Sequence, residues 1–238
     1  MMTDGVILPR WLILLLPPSL VLLAIGLWST PQWLAPAFYA TMGLIGWVFM
    51  GQGRWRRVQA WLQRLPGPVW LRCVLLGYAA VVAEEMLVGT SYALAEGNWP
   101  AVWLPRMGQF IAFNLFAFTG AIIGLALAYG RFPGLRPWHW VLAGAWGLYA
   151  ERTWLLAWDN PIAGALLLAP NLTVYSIILA PLMLSLPAQS GVTRAPVWAL
   201  LPVWAVMFAL SIPAVGAVLA LRAAFPGAFP GCDYIPCP

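Results

Sequence analysis

Lysine is missing from this chain, histidine occurs once, and charge of either sign is scarce. Only 8% of the 238 residues are charged, while 63% are hydrophobic. Soluble domains carry roughly 25% charged and 45–50% apolar residues, so too little polar surface exists here to cover a water-soluble globule. Without lysine there is no retinal Schiff base. With His139 as the sole histidine, haem or chlorophyll held by several imidazoles is not expected. Zinc-ligand spacing, a Ser–His pair and a phosphate-binding glycine loop are also missing, so neither metal nor cofactor is expected. The net charge of +5 rests on twelve arginines. Most lie in short loops between apolar runs, which fits anionic lipid and control of topology rather than nucleic acid.

What is present is a succession of apolar runs, at 11–28, 35–51, 73–94, 107–129, 138–157, 163–186 and 197–221. The expected fold is all-α: a polytopic transmembrane helix bundle of about seven spans of ~20 residues, forming one membrane domain over 1–238. The first run carries Pro17-Pro18 and is followed by no small-residue cleavage site, so it reads as a retained, kinked span. With the N-terminus inside, the inner side holds Arg10, Arg54, Arg56, Arg57, Arg64, Arg72, Arg131, Arg136 and Arg194. The outer side holds only Arg106, Arg152 and Arg222. This bias places the C-terminus outside, in the cell membrane of a bacterium-like inner-membrane protein. Glu96, Asp159 and Asp233 also fall outside. In the outer tail, 223–238, Cys232 and Cys237 are candidates for a disulfide, with two free thiols as the alternative. Cys73 reads as a small packing residue.

Residues 54–65 space Trp55, Val58, Trp61, Leu62 and Leu65 at three and four, with arginines between them. That pattern predicts a short amphipathic helix on the inner leaflet. Gly120 and Gly124 form a small-xxx-small pair that suggests close helix contact. Phe110, Phe113, Phe116 and Phe118 read as packing or lipid contact. No internal repeat is detectable, so an inverted-repeat transporter gains no support.

Glu84 and Glu85 stand near the middle of the third run, where each costs about 2.5–3.5 kcal/mol on insertion scales. Two adjacent carboxylates repel, so at least one is expected to hold a proton near neutrality. A protonated acid beside an ionised one suits general acid–base work or proton relay. Tyr92, Arg106, Gln109, Asn114, Glu151, Arg152 and Asn171 fall toward the outer ends of runs three to six, with Asn160, Thr173 and Tyr175 nearby. These are candidate binding residues of an outward-facing polar cavity with Glu84 and Glu85 as acid and base. Alternatively, the charges pair with one another and fix helix register.

The segment Ala83-Glu84-Glu85-Met86-Leu87 resembles the Glu-Glu motif of the CPBP family, the CAAX-processing and bacteriocin-processing glutamic intramembrane proteases. Gly120 to Gly130, ending Ala-Tyr-Gly-Arg, is loosely similar to a glycine-bearing helix of that family. The family pairs Glu-Glu with an Arg four residues on, where this chain has Val88 and Gly89. In Phe110-Ile-Ala-Phe-Asn114, an Asn stands where the family's Phe-xxx-His pattern has His. What the resemblance implies is limited to a Glu-Glu pair able to activate water. The readings left by the sequence are a membrane-embedded enzyme acting on a lipid or lipid-linked substrate, a proton- or cation-coupled transporter, and a structural or assembly subunit. Membrane lipids are the expected partners, with other membrane subunits as a second class.

Overall fold

The computed structural model describes residues 10–27, 35–46, 54–95, 99–132, 134–135, 144–150, 153–187 and 195–226. Among them there is no strand. The helices are α1 (Arg10–Leu27), α2 (Ala35–Ile45), α3 (Trp55–Gln63), α4 (Val69–Ala95), α5 (Trp99–Arg131), α6 (Ala145–Ala150), α7 (Thr153–Asp159), α8 (Pro161–Leu184) and α9 (Leu200–Ala224). A single 3₁₀ turn, Val197–Ala199, leads into α9. Three segments are long and apolar enough to cross a membrane: Asn114–Arg131, Pro161–Leu184 and Leu200–Leu221. They mark a membrane protein. α4 has comparable length, 27 residues, and carries Arg72, Glu84 and Glu85 along it.

The start of α8 follows local chemistry. Asn160 caps α8, its side-chain oxygen accepting from Ala163 N at 3.1 Å, and Pro161 occupies the first turn where no N–H partner is needed. α5 begins at Trp99, earlier than the apolar run at 107–129 suggests, because Pro100 falls in the first turn and does not break the helix. The run at 138–157 corresponds to α6 and α7 where it is described.

α8 is the central helix. Asn171 to Ala180 are buried without interruption, as expected of a helix apolar all round. α1, α2, α3, α4, α6 and α7 all pack against it. α4 lies antiparallel to it, with Cys73 Sγ 3.5 Å from Ser185 Oγ. The next turn brings Gly77 so close to Leu182 and Ile122 that a Cβ there would sit about 3 Å from both. The buried face of α4 repeats every fourth residue: Cys73, Gly77, Val81, Glu85 and Gly89. Small side chains along that ridge allow close helix packing.

α5 packs along α4 on one side and α9 on the other. Gly120 and Gly124 are where α9 comes closest: added Cβ atoms would lie 2.5 Å from Met207 O and 2.7 Å from Met207 Cγ respectively. The small-residue pair therefore does mark a helix contact.

α3 is amphipathic as expected, and its apolar face has a different occupant. Trp55 and Leu62 are buried, with Val58 and Leu65 beside them, in a cluster that includes Ala169, Leu172, Ala180 and Leu184 of α8. Only Trp61 among the expected apolar positions points away, 60% exposed. Gln63 Nε2 donates to Leu186 O at 2.7 Å, and Arg72 Nη1 donates to Gln63 O and Leu65 O, both at 2.7 Å. These bonds satisfy carbonyls that the end of a short helix leaves open. Gln63→Ala is expected to loosen α3 and lower unfolding free energy by about 1 kcal/mol. Faster proteolysis between α2 and α4, with the rest of the chain intact, is the measurement.

Candidate functional site

Four pairings set the register of the antiparallel α4–α5 pair. In order along α4 they are Gly77 with Ile122, Tyr78 with Thr119 (hydroxyls 2.7 Å apart), Glu85 with Asn114, and Thr90 with Trp103 (indole N–H to hydroxyl, 2.9 Å). Glu85 thus stands about 24 Å from the start of α4 and about 15 Å from its end, at ~1.5 Å per residue. It is 3% exposed. Asn114 Nδ2 donates to its Oε1 at 2.5 Å.

Glu84, one residue earlier and therefore about 100° round the helix, is only half-buried, although its Oε2 is shielded from solvent. The two carboxylates differ in how far they are buried. Glu85 is buried on the packed face of α4, and Glu84 is less deeply buried.

Cys73–Ser185 and Gly77–Leu182 fix the α4–α8 register. Carrying that register two turns along α4 brings Glu85 level with Thr173 and Val174, with Asn171 about 3–5 Å away along α8 at ~1.5 Å per residue. Asn171 is 2% exposed. Because α4 is antiparallel to both α5 and α8, those two helices run in the same direction. One turn on from each asparagine stand Phe118 and Tyr175, stacked at 5.7 Å between centroids and 16° between planes. Trp146 of α6 completes the group, 5.4 Å from Phe118 and 6.0 Å from Tyr175. The Glu85–Asn114 pair therefore lies close along the bundle to an aromatic group of Phe118, Trp146 and Tyr175.

Several expected site residues do other work. Thr173 donates to Ala169 O at 2.8 Å within its own helix, so it is satisfied by α8 and not by a cavity. Asn160 is the α8 cap, and Tyr175 is aromatic packing. Tyr92 lies two turns beyond Glu85 in α4, and Arg106 and Gln109 lie in α5; the placement of these three side chains is outside the described residues. So are Glu151, Arg152, Cys232 and Cys237, with His139. Cys73 is a buried packing residue, as its surroundings suggested.

Trp146 was not singled out from the sequence. The signal lay beside it, in Gly147. A Cβ there would sit 2.0 Å from Tyr175 Cδ2, so only glycine lets the Tyr175 ring lie against α6. The Trp146 indole Nε1 is buried with no hydrogen-bond partner among the described residues. Among those residues, no three His, Cys, Asp or Glu side chains converge as metal ligands.

No family model, curated protein or solved structure matches this chain. The site therefore has to be read from its own chemistry. A carboxylate withdrawn from water and held by an amide donor has a fixed direction of approach. That orientation suits proton transfer to or from a bound group, and it equally suits an interhelical tie.

Proposed function

We propose that the chain is a membrane-embedded enzyme that acts on a lipid or lipid-linked substrate, with Glu85 as its acid–base group and Glu84 as the neighbouring carboxylate. The supporting observation is Glu85 itself: a buried carboxylate in the middle of a 27-residue helix, with Asn114 Nδ2 at 2.5 Å. Ionisable groups at such depth are costly and mark function by default. Arg106 and Arg152 are the proposed phosphate- or carboxylate-holding groups, with Tyr92, Gln109, Asn114, Glu151 and Asn171 lining the approach. The proposed topology is about seven spans with the N-terminus inside and the C-terminus outside, in a bacterial inner membrane.

A second reading treats the site as a water-activating Glu-Glu pair of the CPBP-like kind. It is favoured by one contact, since Asn114, standing at the histidine position of the Phe-xxx-His pattern, is the residue that touches Glu85. A transporter would need access to Glu85 from both sides of the membrane, and a structural subunit would need the Glu85–Asn114 bond only as a tie between α4 and α5.

Cysteine accessibility tests the proposal. A single cysteine at Asn114 should react with an impermeant thiol reagent added outside, while one at Arg57 should react only from inside. Labelling of Arg57→Cys from outside would overturn the topology. Resistance of Asn114→Cys from outside would remove the outward route to Glu85.

A further inference from the structure

The apolar face of α3 packs against α8, which leaves the adjoining surface of the helix to be explained. Arg54, Arg57, Trp61 and Arg64 recur at intervals of three, four and three, so at 100° per residue they fall within an arc of about 80°. The flanking residues Arg54 and Arg64 both keep right-handed helical dihedrals, which extends that stripe past both ends of the helix. All four are exposed, and so is Trp70 near the start of α4. Arg72 is not part of this surface, because its guanidinium is spent on the carbonyls of Gln63 and Leu65. No acidic residue occurs anywhere between Asp4 and Glu84, so this region of sequence supplies no carboxylate to neutralise the stripe.

We infer that this stripe is a docking surface for anionic phospholipid headgroups, with Arg54, Arg57 and Arg64 holding phosphate oxygens and Trp61 and Trp70 seated at headgroup level. The inference rests on the chain being a membrane protein with α3 at an interface, and not on Glu85 being catalytic. The chemistry favours lipid over an acidic protein segment. Guanidinium forks bind phosphate in two-pronged fashion, and amphipathic indoles concentrate at the water–bilayer boundary. A basic residue near an anionic leaflet contributes about 1 kcal/mol, equivalent to roughly a fivefold preference each and on the order of a hundredfold for three. An α3 lying on the membrane through its apolar face would orient these arginines by burying leucine in lipid. Here the protein itself holds the helix, through Gln63 and the α8 cluster, and the arginines are presented on a fixed support.

The test uses the full chain in detergent, titrated with phosphatidylglycerol or phosphatidylcholine and read by native mass spectrometry as lipid adducts. The wild type should retain phosphatidylglycerol preferentially, and the preference should fall as salt rises. R54Q/R57Q/R64Q should lose most of that preference, on the order of a hundredfold, whereas R131Q, an exposed arginine at the end of α5, should keep it. Equal retention of phosphatidylglycerol by the triple variant and the wild type would overturn the inference. So would a wild-type preference indifferent to salt, a measurement that needs no variant to fold. Displacement of the lipid by an acidic peptide at matched charge, but not by phosphatidylglycerol vesicles, would assign the stripe to a protein and likewise overturn it. Glu85→Gln should leave the lipid preference unchanged, so the two readings fail separately.

Discussion

Glu85→Gln is expected to leave the bundle folded and to stop turnover. The glutamine carbonyl still accepts from Asn114 Nδ2, so the 2.5 Å bond between α4 and α5 keeps a neutral counterpart. Removing the carboxylate also removes the cost of burying charge, so the thermal midpoint should hold or rise. If Glu85 moves a proton on the reacting group, the rate should fall by about 10²–10⁴-fold. Both quantities are to be measured on the same preparation: unfolding by intrinsic fluorescence, and hydrolysis across a panel of lipid and lipid-linked substrates. Asn114→Leu is the complementary variant. It strips a donor from a buried carboxylate and should cost about 2 kcal/mol in stability, with a smaller loss when Glu85 is replaced at the same time. Should Glu85→Gln retain full turnover while Asn114→Leu destabilises, the pair is a tie between helices and the catalytic reading is wrong.

Gly120→Ala should be among the most damaging single-methyl changes in the described part of the molecule. Its new Cβ would stand 2.1 Å from Ser211 Oγ and 2.5 Å from both Met207 O and Ser211 N. Two of those three atoms are backbone, and the third is tied by its own bond to Met207 O at 2.7 Å, so relief requires α9 to move as a body. Overpacking of this kind costs about 1–3 kcal/mol, and Gly120 belongs at the upper end. Gly124→Ala should cost less, because its nearest contact at 2.7 Å is the flexible Met207 side chain. Gly108→Ala is the control: nothing lies within 4 Å of its added Cβ. There the better helix propensity of alanine should stabilise by up to about 1 kcal/mol. The three midpoints should therefore rank Gly108→Ala above Gly124→Ala above Gly120→Ala. A different order would contradict the close approach of α9.

The helices were largely legible because their signals are local. The Asn160-Pro161 pair announces the start of α8, and the spacing of Trp55, Val58 and Leu62 announces α3 before any contact is known. Gly120 and Gly124 announced a helix contact for the same reason, since four-residue spacing puts both on one side of α5. Sorting the polar residues was a different problem. Asn171 and Thr173 are two residues apart in one helix and equally polar. Asn171 is a buried amide, while Thr173 returns its hydroxyl to Ala169 within its own helix. Nothing in their sequence spacing separates them.

By itself, the sequence determined an all-helical chain of a membrane protein and the amphipathic character of α3. Each follows from periodicity and hydrophobicity that a single helix carries. Only the tertiary structure decided that α8 is central, that α3 spends its apolar face on the protein, and that Glu85 is more deeply buried than Glu84. Those outcomes depend on which helix comes alongside and at what register, and a 100° step between neighbours on α4 is enough to divide two identical side chains.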